Sequence, residues 1–382
     1  MNVTENPNDG SNNLLPLLQS FCLNSNKITV SKKAVEWSLQ TGLGSIVYEY
    51  GVLDLHDALL VEKLASHKLN YQFWFQTQLN KTKQIVELLN KVGITPTLLK
   101  GMSISSDLYL KAYFRTMRDI DILVDVKEVD TVEKILSSLN FQQQSVYSKE
   151  FYESGHHHTM PWQHVKDDIW IEVHTKLFPK SSCCYDSPVF QLDVIQNEKI
   201  QGKLYEFDVN RLSYEFQIIY IASHWAEQFK QIGGLFALLD VALIINQHNN
   251  LDWEKIISWS NTPYVSNYVY LILQYLNRNG LLNPNINIDT HFNRIQHTLG
   301  FISISIMNKM IDDYLLAGKG FGRILTVNNI SIIWKDLLEP SSSIEKILLI
   351  PVSLLFPKGV KNRFSIKFQW SRLKSVINFR KQ

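Results

Sequence analysis

The chain has 382 residues, of which 45% are hydrophobic and 19% charged, and its formal net charge is +2. That balance excludes an intrinsically disordered chain and, at about 100 to 200 residues per domain, leaves room for two or three domains. Three cysteines, Cys22, Cys183 and Cys184, exclude a disulfide framework, and no apolar run reaches the roughly 18 residues that a membrane-spanning helix needs.

Residues 1–13 are rich in Asn, Asp and Gly with nothing to bury, and they read as a disordered lead-in. The first twenty residues contain Glu5 and Asp9 but no Lys or Arg, so the positive start of a secretory signal is missing and the expected compartment is the cytoplasm. Short helices are predicted at 14–23 and 31–40, the second capped by Ser31. A long helix is predicted at 57–92, which has no Pro or Gly and carries Leu60, Leu64, Tyr71, Phe75, Leu79, Ile85 and Leu89 at near-helical spacing. Residues 14–95 thus form an N-terminal helical region.

Next comes a short apolar strand at 97–99, ended by Lys100-Gly101, then a helix-like 103–111 and a strand at 119–124. In a strand alternate side chains share a face, so Asp119 and Asp121 lie on one side and Ile120, Ile122 and Val124 on the other. Two close carboxylates raise each other's pKa unless a cation sits between them, and oxygen ligands on a stiff strand suit Mg²⁺. Taken alone, Asp-x-Asp is a common tripeptide that fits an exposed strand with two solvated aspartates better than an ion site. The context favours the ion: a lysine and the first turn of a helix holding Ser103, Ser105 and Ser106 can meet a phosphate there.

A helix is predicted at 127–139 and an irregular or extended segment from 141. The next strand, at 167–176, puts Ile169, Ile171 and Val173 on one face and Trp170, Glu172 and His174 on the other. Beside the Asp119 strand, Glu172 becomes a third carboxylate. His156, His157 and His158, with His164 and His174, raise the question of zinc. Three consecutive residues rarely face one point, and no Cys-x-x-Cys or His-Glu-x-x-His accompanies them, so the triplet is expected to be a rim loop.

Beyond 211 the pattern is helical, with segments at 216–229, 235–246, 252–259, 268–276 and 301–316. His224 and Asp240 within it are expected to be hydrogen-bonded core residues of an accessory helical domain at 211–345. From 346 to 382 there is no Asp or Glu, while Lys358, Lys361, Arg363, Lys367, Arg372, Lys374, Arg380 and Lys381 alternate with aromatics. This basic tail is expected to make weak contact with an anionic membrane surface or nucleic acid, or else to dock as a helix with a solvated basic face.

Leu99-Lys100-Gly101, Arg115-x-Met117-x-Asp119-Ile120-Asp121-Ile122-Leu123-Val124 and Ile171-Glu172-Val173-His174 together resemble a poorly characterised bacterial nucleotidyltransferase family of the DNA polymerase beta-like superfamily. Its signature runs LKG, then R-x-M-x-D-I-D-L-L-V, then I-E-L-H. The resemblance implies an α+β fold, with a small mixed-sheet core at 96–210 flanked by helices and a mainly α-helical accessory domain. It further implies an NTP co-substrate, with ATP expected, and Mg²⁺ or Mn²⁺ held by Asp119, Asp121 and Glu172. Lys100, Gly101, Ser103 and Arg115 would bind nucleotide, and His157, His158 and His174 would touch substrate. The superfamily's glycine-serine pair is replaced here by Lys100-Gly101, with Ser103 displaced by one residue. Arg118 also flanks the acids, and for it neutralisation of Asp107 or Asp119 is the preferred role.

The expected reaction moves an NMP from an NTP to a hydroxyl of an acceptor, a small molecule, sugar or peptide, with release of pyrophosphate. The alternative is a non-catalytic binding or assembly protein on the same fold, engaging a partner, a membrane surface or nucleic acid through the helical domain and tail. Zinc-dependent hydrolysis stands third.

Overall fold

Alternation of polar and aliphatic side chains along the two acidic strands is the feature from which the architecture is built. In the computed structural model, which describes residues 13–53, 57–145, 147–227, 229, 234–318, 327–340 and 365–366, they sit at the centre of a seven-stranded mixed sheet. The expected lead-in and basic tail fall, apart from Asn13 and residues 365–366, outside the described residues.

Four helices precede the sheet: α1 (Leu15–Cys22), α2 (Lys32–Thr41), α3 (Gly44–Tyr50) and α4 (Ala58–Lys91). A two-residue parallel ladder of β1 (Ile28–Thr29) and β2 (Gly51–Val52) ties the first three together. Ser31 caps α2 by accepting from the Ala34 amide at 3.2 Å, and Asp57 caps α4 by accepting from the Leu60 amide at 3.2 Å. Gly42 ends α2 at φ +84°, and a Cβ there would lie 2.6 Å from Thr116 Oγ1. Only glycine lets the end of α2 come this close to the segment before the acidic strand.

The sheet is made from β3 (Thr97–Leu98), β4 (Asp119–Leu123), β5 (Phe141–Gln143), β6 (Trp162–His164), β7 (Trp170–His174), β8 (Lys199–Leu204) and β9 (Phe207–Leu212), in the order β5-β6-β7-β4-β3-β9-β8. The β4–β7 and β3–β9 pairs are parallel and the others antiparallel. Helices α5 (Lys100–Leu108), α6 (Val129–Ser138), α7 (Lys149–Glu153) and α8 (Leu192–Asn197) connect them. The hairpin of β8 and β9 was not anticipated, because half of β8 is exposed, none of it is fully buried and its apolar alternation is weak.

Ile120 and Ile122 of β4 and Ile171 and Val173 of β7 are fully buried under Ile85, Val86 and Leu89 of α4 and Val132 and Leu136 of α6. At about 1.5–3 kcal/mol per buried aliphatic side chain, this layer holds the sheet and leaves its opposite face to the acids. A second core joins α1–α3 and α5 to the helices that follow the sheet. These are α9 (Tyr214–Glu227), α10 (Gly234–Gln247), α11 (Trp253–Ser260), α12 (Val265–Arg278), α13 (Asp289–Phe292), α14 (Phe301–Met310) and α15 (Val327–Leu338). Helix α10 is apolar almost all round, as a helix enclosed on every side must be. A π-helical stretch, Ile311–Leu316, continues α14. The fold is α+β with a mixed sheet, and among the described residues no helix is long and apolar enough to cross a membrane.

Candidate active site

The parallel register of β4 and β7 decides the site. Asp121 pairs directly with Glu172 and Leu123 with His174, while Asp119 lies two residues before Asp121 on the same face. Period-two alternation therefore gathers Asp119, Asp121, Glu172 and His174 on the side away from the aliphatic layer. One ligand atom each from Asp121, Glu172 and His174 lies within 4.8 Å of the others.

Lys100 enters from β3. The Leu99 amide donates to the Asp121 carbonyl at 3.0 Å, and Leu99 is extended. Lys100 then takes φ +45°, a left-handed conformation that costs a lysine about 1–2 kcal/mol and turns the strand abruptly into α5. Its ammonium lies 3.4 Å from Asp121 Oδ2. Gly101 follows because a Cβ there would be 2.5 Å from Met117 Sδ. The Lys100-Gly101 turn and the Met117 segment thus pack against one another through the missing side chain.

Charges in this cluster are mutually dependent. Burial raises the Asp119 carboxyl, and the Asp121 and Glu172 charges add to it, to about 6. Burial also opposes the Asp121 charge, but Lys100 and the His174 hydrogen bond outweigh it and hold Asp121 far below the ordinary carboxylate range. Glu172 is likewise held below its usual value, since His174 and His158 overcome its desolvation. His174 is fully buried, and its Nε2 donates to Asp121 Oδ1 at 2.8 Å and lies 3.5 Å from Glu172 Oε2. Burial lowers its pKa, but the two carboxylates push it up to about 9.

Lys100, Gly101, Asp119, Asp121 and Glu172 lie along a cavity of about 620 Å³ whose other walls come from distant elements, whereas His174, expected to touch substrate, is fully buried behind the carboxylates and is not part of the lining. Gln40, Thr41 and Gly42 at the end of α2, Tyr71 of α4, and Ile221, His224 and Trp225 of α9 all line it. None of the α2 or α4 wall residues was read as a site residue from sequence, where Tyr71 counted only as an apolar position of the long helix, because nothing local to them marks a site. The one available signal was the close-packing glycine at 42.

Two expected nucleotide-binding residues are placed differently. Ser103 is not among the residues lining the cavity. Helix α5 begins at Lys100 rather than 103, so the Ser103 hydroxyl lies inside it and donates back to the Lys100 carbonyl at 2.8 Å. Arg115 lines the cavity, but its guanidinium is committed to Asp240 of α10: Nε lies 2.9 and 3.0 Å from the two carboxylate oxygens and Nη2 lies 2.9 Å from Oδ2. Asp240 is 1% exposed and also accepts from the Tyr109 hydroxyl at 2.5 Å. Asp240 is thus the bonded core residue expected of it. Arg118, expected to neutralise Asp107 or Asp119, instead lines the cavity and makes no ion pair among the described residues, while Asp107 faces Arg211 at 3.9 Å.

The histidine triplet also departs from expectation. His156, His157 and His158 line the same cavity, and a side-chain nitrogen of each lies within 4.8 Å of one from the other two. Extended backbone would alternate them, but the chain bends at His157. Amides of Thr175 and Lys176 donate to the His157 carbonyl at 3.0 and 3.2 Å, and Thr159 N donates to the Val173 carbonyl at 2.9 Å, so the bend is docked on the end of β7. Burial, chiefly, lowers all three imidazoles, His156 to about 4.

The donor set of the acidic face, carboxylates opposed across one strand pair with cations already drawn to them, fits a divalent ion such as Mg²⁺. No curated protein and no solved structure matches the chain. A family model described as uncharacterised nucleotidyltransferase matches residues 35–279, a span that contains the acidic strands, the Lys100 turn and the cavity walls from α2, α4, α9 and α10. The chain therefore belongs to this nucleotidyltransferase family and is an enzyme of that class.

Proposed function

We propose that the protein transfers an NMP from an NTP, with ATP the expected donor, to a hydroxyl of a second substrate and releases pyrophosphate. The observation that carries this reading is the direct pairing of Asp121 with Glu172, with Asp119 on the same face, at the wall of the cavity. Asp119, Asp121 and Glu172 would hold Mg²⁺ or Mn²⁺, which when bound neutralises charge on the reacting phosphate.

The chain's own groups supply the rest. Glu172, on the cavity wall beside the aspartate pair, would complete the ion's shell or accept the acceptor's proton. Lys100, now paired with Asp121, and Arg118, on the same cavity, are the cations that face the triphosphate. The mixed walls from α2, Tyr71, Ile221 and Trp225 suit an acceptor with both polar and apolar parts, a small molecule, sugar or peptide. All three cysteines are free, which supports a reducing compartment such as the cytoplasm.

Isothermal titration of Mg-ATP into wild type and Asp121→Asn, with transfer of label from α-labelled NTP followed in parallel, tests the proposal. Binding and label transfer in wild type, both lost in the variant, are expected. Equal behaviour of the two proteins would end it.

A further inference from the structure

We propose that His156, His157 and His158, with Glu172 as a shared carboxylate, form a second metal site that takes a nitrogen-preferring transition ion of the zinc class. This site is distinct from the oxygen-ligand site of Asp119 and Asp121, and it stands on its own geometry, whatever the transferred group is.

Three observations converge on it. The first is proximity: the ring centroids of the three imidazoles are 4.1, 4.6 and 4.8 Å apart, and a nitrogen of each lies within 4.8 Å of the others. Nitrogens around a tetrahedral ion at about 2.0–2.1 Å lie a little over 3 Å from one another, so small side-chain rotations complete the set. The second is proton placement. His158 Nδ1 lies 2.6 Å from the Thr159 carbonyl, which can only accept, so Nδ1 carries the hydrogen and the Nε2 lone pair faces outward. That Nε2 lies 3.5 Å from Glu172 Oε2, so an ion seated between them would take one ligand atom from each. The Nδ1–H to carbonyl bond is also the usual way in which a protein orients a ligating histidine.

The third observation is lack of partners. Nδ1 of His156 and Nδ1 of His157 are buried without a hydrogen-bond partner among the described residues, and His157 is 6% exposed. A buried polar atom without a partner is unfavourable, and two from one triplet are poorly explained by packing alone. Imidazole favours zinc, copper, nickel and iron, whereas Mg²⁺ favours oxygen, so the two sites sort different ions across one shared carboxylate.

The test uses the full chain, purified without a polyhistidine tag and stripped with a chelator. Co²⁺ is titrated in and followed by visible absorption, with Zn²⁺ as competitor. Wild type and Asp119→Asn should both develop the bands of nitrogen-ligated Co²⁺; Zn²⁺ should erase them and excess Mg²⁺ should not. His156→Ala and His158→Ala should each weaken Co²⁺ binding by about 10- to 100-fold, while His164→Ala, outside the triplet, should not. Circular dichroism melts identify the folded variants, and loss in either folded histidine variant supports the site. Should neither fold, loss in Glu172→Gln supports it. Absence of bands in wild type, their survival in every folded triplet or Glu172 variant, or their loss in Asp119→Asn alone would overturn the proposal.

Discussion

Removing Asp240 from beneath Arg115 separates a structural arginine from a phosphate-binding one. The pair is joined by three nitrogen–oxygen contacts of 2.9–3.0 Å, Asp240 is 1% exposed, and Tyr109 supplies a further hydrogen bond at 2.5 Å. Asp240→Ala leaves a guanidinium in a low-dielectric site without its anion, a loss of about 3–5 kcal/mol, and Arg115→Ala leaves the converse. With an unfolding entropy of about 2.1 cal/mol/K per residue, a 382-residue chain should melt about 4–6 °C lower in either case. Arg115→Met combined with Asp240→Leu should be markedly less destabilised than either single change, because no buried charge remains. Arg115→Lys should recover only part of the loss, since an ammonium cannot reproduce the planar fork. Thermal melts with Mg-ATP titration of each variant measure the effect. An Arg115→Ala protein that melts like wild type but no longer binds nucleotide would refute the reasoning and restore the phosphate role suggested by the sequence motif.

The other predictions concern the acidic face and the turn beside it. Glu172→Gln should lower label transfer from α-labelled NTP by about 100-fold or more while preserving the fold, and a fully active variant would remove Glu172 from the site. Because Asp119 is raised to about 6, protons compete with a divalent ion below that pH; apparent Mn²⁺ affinity, read by electron paramagnetic resonance, should rise about tenfold per pH unit up to roughly pH 6 and then level off. His174 is raised from 6.5 to about 9, so in metal-free protein its contribution to stability is complete below about pH 6.5 and fades as pH rises through about 9. The melting difference between wild type and His174→Gln, measured in chelator, should shrink across that window. Gly101→Ala forces a methyl group against Met117 and should cost about 1–3 kcal/mol, partly offset by better helix propensity; adding Met117→Ala should return stability to Gly101→Ala if that contact is the cause.

Alternation and capping were legible in the chain because they depend on neighbours in sequence. The period-two pattern of Asp119-Ile120-Asp121-Ile122 and Ile171-Glu172-Val173-His174 assigned each side chain to a face, and Ser31 marked the helix start that it caps. What a residue does once on its face was a matter for partners far along the chain. Arg115 finds Asp240 at a separation of 125 residues, which no local pattern can express, and so it leaves the phosphate role that its motif suggested. Three consecutive histidines converge only because the end of β7 docks a bend at His157, and α2 reaches the cavity only because Gly42 admits Thr116. Sequence by itself determined which side chains share a face of the acidic strands. The tertiary structure alone decided that Asp121 stands opposite Glu172, because strand register is set by packing and hydrogen bonding between segments about fifty residues apart.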